Sequence, residues 1–227
     1  VHHTSAHLLQ AALVKVLGDE VKQAGSQVEE NRMRFDFTFS RAMSHDEIKK
    51  VEDLMNKWIG EGYCVNTQVM GIKEAELTGA TALFGEKYGD TVRVVSIEKD
   101  GESISKEFCA GTHARLLKDL RVVKIVSESA IAAGTRRIEV VASASAINYL
   151  NAKSAELDKL SAKFKAHFDD VVERVDKLSE ENRELQKQVE KLEEENTRNK
   201  FATFISRAQD IEGGKLFISK VAALKPL

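Results

Sequence analysis

The chain has 227 residues, with 34 basic and 36 acidic side chains and a formal net charge of −2. That balance excludes a polyanion binder driven by bulk charge and leaves room only for a local basic patch. Cys64 and Cys109 make no disulfide framework, and no apolar run reaches membrane-spanning length, so the sequence reads as a soluble, cytoplasmic protein of a reducing compartment.

Residues 3 to 17 carry Leu8, Leu9, Ala12, Val16 and Leu17 at helical spacing, with Gly18 as the stop. "MRFDFTF" alternates Met33, Phe35, Phe37 and Phe39 against Arg34, Asp36 and Thr38, the pattern of a half-buried strand. "SHDEIKKVEDLMNKWI" opens with Ser44 and Glu47 in capping-box register, and Ile48, Val51, Leu54, Met55 and Trp58 share one face. Short strands follow at "VNTQVM", "TVRVVSI", "SKEFC", "RVVKIV" and "RRIEVVA", separated by glycine-containing loops. Strands and helices without regular alternation predict an α+β domain over residues 1–145. Cys64 has no partner motif and is expected in the core.

From residue 146 to 206 proline and glycine vanish, and Glu and Lys dominate. Leu157, Phe164, Val171, Leu178, Leu185 and Leu192 recur every seventh position, with Ser161, Phe168, Val175, Asn182, Val189 and Asn196 between them. This heptad predicts one long coiled-coil helix, with the two asparagines as register-fixing interruptions and a parallel homodimer as its simplest outcome. Packing against a helix outside the chain is the alternative. Gly213 and Gly214 end it, and residues 207–227 read as the incomplete start of a further domain.

Two pairs of side chains carry the chemistry. His3 and His7, at i and i+4, project from one helix face. Cys109 and His113 lie across "AGT", where Gly111 lets the backbone turn so that both side chains converge. Three imidazole nitrogens and a thiolate form a tetrahedral set suited to zinc. A histidine pair on a helix is ordinarily surface, and a single cysteine ordinarily core, so each pair alone leaves the bland reading open. His2 adjoins the set, but helical spacing to His7 favours His3. Gln23 has an amide fit to hold a hydroxyl or a water; its bland role is a helix-end glutamine before a Gly25 turn. Arg34 and Asp36 suggest a cross-strand ion pair. Arg136 and Arg137 suit phosphate contact or local salt bridges.

In order along the chain stand "HTSAHLL", "QAGS" (Gln23 to Ser26), "RFDF" (Arg34 to Phe37), "FGEKYGDTVRVV" (Phe84 to Val95), "CAGTH" (Cys109 to His113) and "GTRRIE" (Gly134 to Glu139). Together they resemble the editing domain of alanyl-tRNA synthetases and the free-standing alanyl-tRNA editing proteins. The resemblance implies a zinc-binding deacylase that hydrolyses the ester of serine or glycine on the alanine tRNA, with that tRNA's acceptor end as partner. It implies His3, His7, Cys109 and His113 as ligands, and Gln23 and Thr4 as the groups that orient water. A complete set of four ligands favours positioning over water activation. No counterpart of the family's ATP-binding and aminoacylation regions occurs in these residues, so aminoacylation is not expected of this chain. Three departures stand out. Ala6 replaces a threonine beside the substrate, which predicts weak serine-over-alanine selectivity. Ala110 replaces a glycine, and "ARLLKDLRVV" replaces a glycine-rich stretch. They motivate the rival expectation of a non-catalytic tRNA-binding or dimerisation module.

Overall fold

Leu8, Leu9, Ala12 and Leu13 are fully buried on α1 (His2–Leu17), and Gly18 ends the helix at φ 108°, a conformation that glycine adopts without a Cβ penalty. The computed structural model describes residues 1–82, 88–216 and 218, the side chains of 204 and 205 excepted. Motif residues 84–87 and the closing residues 217 and 219–227 therefore lie outside the described residues. The described chain divides into two units, Val1–Ala155 and Glu156–Leu227.

In the first unit the antiparallel sheet β1–β2–β7–β6 is built from β1 (Gln23–Val28), β2 (Met33–Thr38), β7 (Thr135–Ala142) and β6 (Val123–Ala132). The alternation read in "MRFDFTF" is realised. Met33, Phe35 and Phe37 are completely buried, while Arg34 and Asp36 are half-buried on the other face. Each such large apolar side chain contributes about 1.5–3 kcal/mol on burial. α2 (His45–Glu61) forms the expected capping box: the Glu47 N–H donates to Ser44 Oγ at 3.2 Å, and the Ser44 N–H donates to Glu47 Oε2 at 2.8 Å. Its Val51, Met55, Trp58 and Ile59 join α1 and the sheet in one core.

The second antiparallel sheet is β3–β4–β5: β3 (Cys64–Gly71), β4 (Thr91–Lys99) and β5 (Glu102–Phe108). α1 packs against both β5 and the first sheet, which brings its amino-terminal half over the end of β5. Among the strands and α-helices of this unit, two escaped the sequence reading. β1 occupies the segment taken for a turn, with a register shift between Gln23 and Gly25, and the short α3 (Ile72–Leu77) follows β3. Cys64 is a correction: it is exposed rather than core, because it opens β3, an edge strand most of whose side chains are exposed.

The heptad region is also corrected. It forms α4 (Ala144–Phe164) and α5 (Val171–Ser206) rather than one unbroken helix. Lys165 takes a left-handed φ of 50°, its N–H donates to the Ala162 carbonyl, and the Ala166 N–H donates to the Ser161 carbonyl. This is a Schellman ending made without glycine, which is why the composition concealed it. His167 then caps a 3-10 turn at Phe168–Asp170 that leads into α5. A small hairpin of β8 (Gln209–Ile211) and β9 (Gly214–Leu216) closes the described part of this unit.

Candidate metal centre

α1 carries His3 and His7 on successive turns, and the segment after β5 carries Cys109 and His113. The fold brings one ligand atom from each within 4.8 Å of all the others. Cys109 Sγ lies 3.3 Å from His3 Nε2 and 3.4 Å from His113 Nε2. The His3 and His113 ring centres are 4.5 Å apart, and those of His7 and His113 are 4.9 Å apart. Packing three imidazoles against one sulfur, among half-buried groups, leaves His7 Nε2 buried with no hydrogen-bond partner in the structure. An orphaned buried nitrogen beside a thiol and two further imidazoles fits a metal ion of the zinc type. His2 stays outside the set, because its Nε2 accepts the Ala142 N–H at 3.2 Å.

Electrostatics favours the thiolate member of that donor set. Burial raises the Cys109 thiol, but hydrogen bonds with His113 and His3, the nearby His7 ring and the Gly111 backbone outweigh it and bring it down to about 3. The sulfur is therefore held as the thiolate, the ligating form. Burial pulls His7 down, yet its interactions with Cys109 and Glu107 prevail and raise it to about 10, so without an ion the ring is protonated and ligation would release the Nε2 proton. His113 is lowered by burial.

Around the four ligands the loop is fixed by its neighbours. The Cys109 N–H donates to the Arg93 carbonyl at 2.9 Å, and Arg93 Nη1 donates back to the Ala110 carbonyl at 3.0 Å and to that of Gly111. Gly111 lies flat against His3, where an added Cβ would fall 1.9 Å from His3 Cε1. The sequence reading gave Gly111 a turning role; close approach is what the geometry demands. Thr4 is completely buried, with its Oγ1 3.4 Å from His113 Nδ1 and accepting the Ala114 N–H at 3.0 Å.

A cleft of about 1310 Å³ is lined by Gln10, Val14, Gln23, Trp58, Ser105 and Glu107 among others; none of the four candidate ligands lines it, and Glu107 reaches the centre through His7. Gln23 thus faces open space, its Nε2 donating to Ser26 Oγ at 3.0 Å. Thr4 and Ala6 do not line this cleft; Ala6 belongs to the hydrophobic core. Both arginines proposed for phosphate are engaged locally. Arg137 makes a two-pronged pair with Asp36 at 2.7 and 2.8 Å across β2 and β7, and Arg136 pairs with Glu128, 2.8 Å at its Nη2. Asp36 thereby makes the cross-strand ion pair expected on this face. Sequence reasoning missed Arg93, Ser105 and Glu107. The alternation Ser105, Glu107, Cys109 was the available signal, since it places a serine and an acid on the face that ends at the thiol.

Residues 92–139 match the family described as the threonyl and alanyl tRNA synthetase second additional domain. An alanine–tRNA ligase of Populus trichocarpa, named chloroplastic/mitochondrial, is 45% identical over 192 residues, covering 85% of this chain and 19% of that protein. The alanine–tRNA ligase of Synechocystis sp. is 40% identical over 223 residues, 98% of this chain and 25% of that protein. The chain belongs to the alanyl-tRNA synthetase editing-domain family. The same enzyme of Thermosynechococcus vestitus is 37% identical over 225 residues, again 25% of its length. The chain thus spans about a fifth to a quarter of these alanine–tRNA ligases, and the second-additional-domain match within it runs from β4 through the Cys109–His113 loop to β7.

Proposed function

We propose that this chain is an aminoacyl-tRNA deacylase that hydrolyses the ester of a wrong amino acid, serine or glycine, on the alanine tRNA. The observation that carries the reading is the convergence of His3, His7, Cys109 and His113 within 4.8 Å, from segments a hundred residues apart. Family membership supports a tRNA-editing role, and a hydrolytic second site has a physical reason. An aminoacylation site built for alanine cannot strongly reject the smaller glycine or the near-isosteric serine.

In the step itself, water adds its oxygen to the acyl carbon and the bond to the ribose oxygen breaks. The ribose leaves as the hydroxyl after taking up the proton that water gives up. The tetrad would hold zinc, which supplies Lewis acidity toward an ester carbonyl or toward water when bound. The Gln23 amide, on the cleft wall, orients the attacking water or the hydroxyl of a serine substrate. Thr4 holds the His113 ring, and Gly111 leaves room for the His3 ring. Selectivity rests on Gln23 more readily than on Ala6, which is packed in the core. Such a protein works where translation runs, in a cytoplasm or an organelle.

Rates of hydrolysis of seryl-, glycyl- and alanyl-tRNA by this chain test the proposal. Cleavage of the seryl and glycyl esters is expected, and Gln23→Ala should slow the seryl reaction about two- to tenfold, the worth of one hydrogen bond. No cleavage of any of the three esters would leave the non-catalytic module.

For α5 we infer pairing with a second copy, parallel and in register. Val175, Leu178, Leu185, Val189 and Leu192 are exposed along one stripe of this helix. Asn182 and Asn196 would then meet their own equivalents. The flanking partners become Arg174 with Ser179, Glu181 with Gln186, Gln188 with Glu193 and Glu195 with Lys200, none of like charge. Asn182→Val should strengthen association and loosen oligomer number, read by sedimentation. A wild-type chain that stays monomeric at high micromolar concentration defeats the pairing.

A further inference from the structure

Glu107 is almost fully buried, 8% exposed, at the carboxyl end of β5. Its two oxygens are divided between different partners. Oε2 lies 2.6 Å from His7 Nδ1, and Oε1 accepts the Ser105 hydroxyl at 2.9 Å. The same side chain lines the cleft that also holds Gln23. A buried carboxylate is costly unless its oxygens are satisfied, and both are satisfied here by groups that point it at one imidazole. A hydrogen bond at Nδ1 decides what the other ring nitrogen can do: with the proton kept on Nδ1, Nε2 is free to donate its lone pair. Among the described residues, His7 Nε2 is one of two buried side-chain nitrogens without a hydrogen-bond partner, Arg34 Nε being the other.

We propose that Glu107, itself held by Ser105, is a positioning residue that orients His7 as an Nε2 ligand and couples the wall of the cleft to the metal centre. The inference rests on the metal-binding reading of the tetrad. It accounts for three facts together: the short His7 contact, the spare oxygen on Ser105, and the orphaned Nε2. Neither Ser105 nor Glu107 need touch the ion. A partner of this kind fixes the ring and raises its basicity, and its loss costs about 10–100-fold in metal affinity.

The test is zinc affinity by competition with a chromophoric chelator, on the full chain, for wild type, Glu107→Gln and Ser105→Ala. Glutamine keeps the shape and can still accept from Nδ1, but it removes the charge. Glu107→Gln should bind zinc at least tenfold more weakly, with the metal-free circular dichroism unchanged, and Ser105→Ala should weaken it severalfold. Cobalt-substituted Glu107→Gln should also show a shifted ligand-field spectrum, which a purely structural role would not produce. Wild-type affinity in Glu107→Gln overturns the inference while leaving the metal reading intact. A wild type that takes up no zinc overturns both. If Glu107→Gln does not fold, Ser105→Ala decides, and an unchanged affinity there overturns the proposal.

Discussion

A Cys109→Ala chain is expected to lose its zinc and, with it, both hydrolysis and much of the stability of the Val1–Ala155 unit. The thiolate is the one anionic member of the tetrad, and the surrounding imidazoles already hold it deprotonated. Removing it leaves three imidazoles with no anionic donor and a gap where the sulfur met His3 and His113. An ion that binds only the folded chain stabilises it by RT ln(1 + [L]/Kd), about 4 kcal/mol at a thousandfold excess over Kd. That is a large fraction of the roughly 5–15 kcal/mol that holds a domain together. For a unit of this size it corresponds to a fall of about 8–16 °C in the unfolding temperature. Zinc content after dialysis against a chelator should drop from about one per chain to near none. Cys64→Ala is the control, because Cys64 is exposed at the start of β3 and outside the tetrad, and it should change neither quantity. Zinc retained in full by a Cys109→Ala, His113→Ala chain would remove the proposed ligand set.

The parts of this fold that could be read beforehand are those where a local pattern has one physical solution. The alternation of "MRFDFTF" could bury only Met33, Phe35 and Phe37 together, and Ser44 with Glu47 could satisfy each other's backbone donors only as a helix start. The two ligand pairs were legible because four-residue spacing brings side chains to one side of a helix or across one loop. Their meeting was not, since that depends on α1 packing over the end of β5. Family resemblance supplied it, and the structure places the four together. Where two forces competed, local pattern failed. Lys165 ends α4 in a conformation usually reserved for glycine, so a heptad unbroken in composition is broken in the backbone. The cross-strand ion pair expected on the polar face of β2 did form, Asp36 meeting Arg137 directly opposite in the β2–β7 register, although its partner could not be named from the sequence. Glu107 was hidden for another reason. A single acid in a strand reads as a solvated side chain until a buried histidine is known to face it.

Gly111→Ala should be nearly as damaging to metal binding as loss of a ligand, and the cause can be isolated. The glycine is not required by its backbone angle; it does not share the positive φ of Gly18 or Gly62. It is required because the Cβ of any other residue would sit 1.9 Å from Cε1 and 2.2 Å from Nδ1 of His3. Something must move. The loop is held by Arg93 on the Ala110 and Gly111 carbonyls and by the Cys109 N–H, so the His3 ring is the part that yields. Once displaced, it can no longer place Nε2 beside Cys109. Overpacking of this kind costs about 1–3 kcal/mol of stability. Zinc affinity should fall by more than the roughly 10–100-fold that follows loss of a supporting partner. A double-mutant cycle separates the clash from any backbone effect. In a His3→Ala chain the three atoms nearest the added methyl are gone, so Gly111→Ala should cost little further in zinc affinity there, although it is severe in the parent. The two changes are then strongly non-additive, as expected of side chains in contact. Equal losses in both backgrounds would show that Gly111 acts through the loop and not through His3, and the close packing of ring on backbone would cease to explain why this position is glycine.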